Sequence, residues 1–137
     1  MRFFPLALTA GCALLGACAT PEPGTVSIVA LLQRPAEHAL VEGLRNYESG
    51  AFEQAERDLH AALAGGLQDR GDAAIAHKQL AFIACAFNRI AECEEDFRAA
   101  FRDNPGFALT SAEVGHPVWG PVYRRVAAWR LSTQSAK

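Results

Sequence analysis

An all-α fold is predicted for this chain, and three observations predict it. From Ala36 onward Ala, Leu, Glu, Arg and Gln dominate, all good helix formers, while clusters of β-branched residues are nearly missing. Apolar residues recur at spacings of three and four, as in Phe52, Ala55, Leu59 and Ala62, which gives a helix one apolar face. The same pattern returns at an offset of 38 positions, from Phe52 to Ile90. With 137 residues, 50% of them apolar, the chain has material for one domain with its own core.

Residues 1–17 read as an export signal. Arg2 supplies a positive start, and the apolar run from Phe3 to Leu15 is broken only by Pro5 and small residues. That run is too short for a membrane span of ~20 residues but has the length of a signal core. It ends in Leu14-Leu15-Gly16-Ala17-Cys18, which resembles the bacterial lipobox. Small residues there admit processing enzymes to the backbone, and the Cys18 thiol is the lipidation site. An ordinary signal peptide cut after Ala17-Cys18-Ala19 is the competing reading. Ala19 in place of an acidic residue implies, by the same resemblance, sorting to the outer membrane with the protein on its periplasmic face.

Residues 18–35 form a lipidated tether, in which Pro21, Pro23, Gly24 and Pro35 exclude a long helix. Val26 to Leu32 is a short apolar run that suits a strand, one or two helical turns, or a strip docked on the domain.

The domain proper spans residues 36–137. Phe52, Ala55, Leu59, Ala62 and Leu63 match Ile90, Cys93, Phe97, Ala100 and Phe101; in the helices before them, Gly43 and Leu44 match Ala81 and Phe82. Gly50 matches Asn88, and both residue types tolerate the left-handed conformation of a tight helix end. This is an internal repeat of helix, turn and helix, with extra length in the linker around Gly65 to Gly71. Thr110-Ser111-Ala112-Glu113 has the form of a capping box. Pro121 suits the first turn of a final helix, along which Val122, Val126 and Trp129 share a stripe. That helix would cover the open end of the array, and the polar residues after Leu131 read as a frayed end.

The repeat resembles the tetratricopeptide (TPR) family. Gly43, Gly50, Phe52, Ala55, Leu59 and Ala62 occupy its positions in the first unit, and Ala81, Cys93, Phe97, Ala100 and Pro105 in the second. The chain departs at Leu67, where Pro is common, at Asn88 in the turn, and at Cys93 in place of Ala. The resemblance implies two TPR-like helical hairpins plus a C-terminal capping helix, stacked as a short right-handed α-solenoid.

The chemistry-bearing residues are few. With Cys12 in the signal and Cys18 at the anchor, Cys85 and Cys93 remain, four residues either side of Arg89 in the predicted turn. Positions symmetric about a hairpin turn face each other, and export favours oxidation, so a disulfide is the leading reading. Free buried thiols and a redox pair are the others, the last lacking the usual C-x-x-C spacing. His38, His60, His77 and His116 have no metal-binding spacing, and no metal or other cofactor is expected. No catalytic residues are assigned: there is no nucleophile elbow, and no G-K-[ST] follows Gly65-Gly66. Glu92, Glu94, Glu95 and Asp96 read as a solvated helix face. A formal net charge of −2 and the absence of basic blocks argue against nucleic acid.

His116-Pro117-Val118-Trp119-Gly120-Pro121 is the most unusual string, with a backbone stiffened by two prolines. His116, Trp119 and Tyr123 are the candidate partner-binding residues; the competing reading has Trp119 sealing the array by packing. Together with His77-Lys78-Gln79-Leu80-Ala81-Phe82-Ile83, Cys85, Cys93 and Asp96-Phe97-Arg98, this string resembles the TssQ-type lipoproteins associated with type VI secretion systems. The similarity covers most of residues 77–125. It implies a non-enzymatic, membrane-anchored scaffold whose partners are envelope proteins, with type VI membrane-complex subunits first among them, and no small-molecule substrate. Another envelope-assembly lipoprotein, such as a pilotin or an outer-membrane or cell-wall assembly factor, is the alternative. A thiol oxidoreductase using Cys85 and Cys93 is the enzymatic one.

Overall fold

A computed structural model describes residues 34–135, with side chains through 133. The signal segment, Cys12, Cys18 and the Val26–Leu32 run lie outside the described residues. The described chain holds helices and connecting turns, with no strand. The helices are α1 (Pro35–Glu48), α2 (Phe52–Ala64), α3 (Arg70–Ala86), α4 (Ile90–Asp103), α5 (Ser111–Val114) and α6 (Gly120–Ser135). No described helix is long and apolar enough to cross a membrane.

The offset seen in the sequence is the offset of the structure. It carries the end of α1 at Glu48 onto the end of α3 at Ala86, and the start of α2 at Phe52 onto the start of α4 at Ile90. The two turns are built alike. Gly50 at φ +80° and Asn88 at φ +59° both adopt the left-handed conformation. In the first turn Gly50 N–H donates to Tyr47 O (3.0 Å) and Ala51 N–H to Asn46 O (2.8 Å). In the second, Asn88 N–H donates to Cys85 O (3.1 Å) and Arg89 N–H to Ala84 O (2.8 Å). Both are Schellman ends, which occupy carbonyls that the helix leaves unpaired.

These turns fold α1 back on α2 and α3 back on α4. Gly43 sets the first crossing: a Cβ there would stand 2.8 Å from Leu59 Cγ, so only glycine permits this approach. The hairpins meet through α3, which packs on both α1 and α2 as well as on α4. Every residue from Leu80 to Cys85 is buried, as expected for a helix enclosed on all sides. One core cluster joins Leu40, Ala55, Leu59 and Ala62 to Ala76, Leu80 and Ile83. The other joins Ala81, Phe82, Cys85, Cys93, Phe97 and Phe101 to Val122 and Val126 of α6. Tyr47 packs against both.

Two boundaries and one side chain differ from the sequence reading. Arg70 and Gly71 belong to α3, not to the linker, because the Asp69 side chain caps that helix by accepting from Gly71 N–H (2.6 Å) and Asp72 N–H (3.3 Å). The last helix runs past Leu131 to Ser135, with the Ser132 and Thr133 hydroxyls donating back to Trp129 and Arg130 carbonyls. Trp129 leaves the buried stripe of Val122 and Val126 and is 54% exposed.

Candidate functional site

The three residues assigned to partner binding lie where α5 and α6 close the second hairpin. Thr110 caps α5 with a complete capping box, Glu113 N–H donating to its hydroxyl and Thr110 N–H donating to the Glu113 carboxylate (2.8 Å). Lys78 of α3 donates to the same carboxylate at 2.8 Å. Burial pushes the Glu113 carboxyl up, but the Lys78 ammonium and the Thr110 N–H outweigh it and hold the group below its ordinary value. The Tyr47 hydroxyl is raised, first by burial and then by the Glu113 charge.

Trp119 stacks on Phe82 at 4.3 Å between ring centroids, and its Nε1 donates to Glu113 O at 2.9 Å. His116 in turn lies flat on Trp119, with centroids 3.3 Å apart, and its Nδ1 accepts from Val118 N–H. Tyr123 stacks on Phe101 and meets Phe97 and Phe107 edge-on, while its hydroxyl accepts from Leu109 N–H at 3.4 Å. All three side chains are partly buried, and their ring faces and polar atoms are largely engaged within the fold. Trp119 thus packs on the second hairpin, with His116 as its outer cover.

The Cys85 and Cys93 sulfurs are at bonding distance, with Cα atoms 5.3 Å apart, so the disulfide closes the second hairpin. Cys93 occupies the place of Ala55 in the first hairpin, and Cys85 that of Tyr47, whose ring contacts Phe52 instead. Cys85 is 3% and Cys93 0% exposed. Thiol exchange requires in-line access of a thiolate to a sulfur, so this burial confines reduction of the bond to molecules in which the hairpin has opened.

The acidic run of α4 is not simply a solvated face. Glu94 binds Arg98 of its own helix (2.8 Å) and Arg125 of α6 through Nε (2.8 Å) and Nη2. The Arg125 hydrogen bond holds the Glu94 carboxyl below its ordinary value, against the upward pull of burial, with Arg98 adding to it. Asp96 meets His77 Nδ1 at 2.8 Å, tying α4 to α3, and Asp103 lies 3.6 Å from the other ring nitrogen. His77 is thus oriented by carboxylates, and among the described residues no group of His, Cys, Asp and Glu has metal-holding geometry.

One feature was not singled out in the sequence. Between α4 and α6 a cleft of about 230 Å³ is lined by Arg98, Phe101, Arg102, Val126, Trp129 and Arg130. The only linear trace of it is the pairing of large apolar residues with arginines on two helices that are distant along the chain.

Comparison with protein-family models, curated proteins and solved structures finds no match to this chain.

Proposed function

We propose that this chain is a lipid-anchored scaffold of the bacterial envelope, built as a short TPR-like array and serving a type VI secretion system. The observation that carries it is the agreement of two hairpins in register, turn and packing. Gly50 and Asn88 make the same Schellman end, and Ala55, Leu59 and Ala62 are buried as are Cys93, Phe97 and Ala100. Repetition of this kind, closed by α6, supports a right-handed solenoid, whose surfaces serve protein binding. The lipobox ending at Cys18 supports an anchor in the outer membrane, facing the periplasm. The string around Trp119 supports the TssQ-type kinship, and with it the membrane complex of the secretion system as partner.

The test is affinity capture of the tagged, lipidated protein from crosslinked native envelopes, with partners identified by mass spectrometry. Enrichment of type VI membrane-complex subunits is the expected result. Enrichment of pilus, outer-membrane or cell-wall assembly proteins instead would replace this reading with the pilotin or assembly-factor one.

A further inference from the structure

We propose that the cleft between α4 and α6 is a docking site for an acidic peptide segment bearing one large apolar side chain. The floor is Phe101 and Val126, both buried, and Trp129 forms an exposed wall. Three guanidinium groups surround this floor, and no carboxylate lines it. Arg98 lies over the Trp129 ring at 5.6 Å and Arg130 over the Phe101 ring at 4.7 Å, so the cations are stacked on the aromatic surfaces of the cleft.

Charge decides the class of occupant. Helix α6 carries Arg124, Arg125 and Arg130 and no acidic residue, in a chain whose net charge is −2. Around the cleft Glu94 and Glu95 are shared among Arg98, Arg102 and Arg125. Arg130 pairs with no carboxylate among the described residues; its Nη2 donates to Pro105 O at 2.6 Å, which leaves its charge uncompensated. An occupant with carboxylates on either side of an apolar group would complete both features. Arg102 belongs to α4, where it shares Glu95, and Arg130 to α6, so acids flanking the apolar residue find a guanidinium from each helix, in the forked geometry guanidinium offers carboxylate. Shape favours a peptide over an anionic lipid surface: the site is concave and sized for about one side chain, whereas a planar headgroup layer would leave the floor unfilled.

This deepens the scaffold reading, on which it rests, by naming the chemistry of the partner segment. The test uses the full-length chain in non-ionic detergent and fluorescence anisotropy of a labelled Glu-Asp-Phe-Glu-Asp peptide. Saturable binding is expected, weakened at least tenfold by Arg130→Glu and by Trp129→Ala, and weakened similarly when Ser replaces the peptide's Phe. Both variants change exposed or rim positions, and unchanged thermal melts establish that they fold; Arg130→Gln separates loss of charge from its reversal. Equal binding of the Ser peptide, or indifference to Arg130 and Trp129, would overturn the site. A Trp fluorescence response to phosphatidylglycerol micelles without any peptide binding would overturn it in favour of lipid. Peptide failure alongside successful envelope capture removes the cleft and leaves the scaffold; the reverse pair of results removes the secretion partner instead.

Discussion

Three positions show how single residues set this structure. At Gly43 two effects oppose each other on substitution. Alanine improves helix propensity by about 1 kcal/mol, but its Cβ would press on Leu59, whose side chain is fully buried and cannot yield. Overpacking of that kind costs about 1–3 kcal/mol, so Gly43→Ala is expected to lower the melting temperature; a rise would contradict the close crossing of α1 and α2. At Cys85 and Cys93, the loop closed by the disulfide is short. Loop-closure entropy assigns it a contribution of roughly 2–3 kcal/mol, and a reducing agent is expected to lower the melting temperature clearly. An unchanged melt under reduction would mean that the bond contributes nothing.

Among the helices, charge pairs hold α5 and α6 in place. Lys78 reaches from α3 to Glu113 of α5, and Arg125 of α6 to Glu94 of α4. Both carboxyls lie below their ordinary value, 4.5 in the free group. A carboxyl whose affinity for protons falls on folding contributes fully above its unfolded value, and loses that contribution as pH drops through the folded one. Asp72 acts in the opposite sense, its carboxyl raised by burial first and then by Asp69 and Glu37, so ionising it opposes folding. Stability is expected to fall on acidification below about pH 4.5. Glu113→Gln should flatten that dependence and Asp72→Asn should steepen it; melting curves taken between pH 7 and pH 3 check both.

Among the described residues the middle helix, α3, is shared by both core clusters, so the two hairpins form one packed unit. Its anchor is expected at Cys18, far along the chain from the cleft between α4 and α6. Cys18→Ser is therefore expected to shift the protein from the membrane to the soluble fraction while leaving its melting temperature unchanged. Persistent membrane retention of that variant, measured by fractionation, would remove the lipidation reading.

Local chemistry made much of this legible in linear form. The left-handed turn at Gly50 and Asn88, the capping box at Thr110, the apolar face of α2 and the symmetric placement of Cys85 and Cys93 all arise from interactions within a few residues or within one hairpin. The Asp69 cap escaped notice because an N-cap is recognised only once the helix start is known. Long-range choices were beyond the sequence for a different reason. Whether Trp119 faced a partner or Phe82 depended on where α5 settled against α3, and the arginine-lined cleft exists only because α6 lies across α4. Spacing along a chain selects the face a helix offers. Which helix covers that face is decided by packing between elements, where burial and charge pairing are settled together.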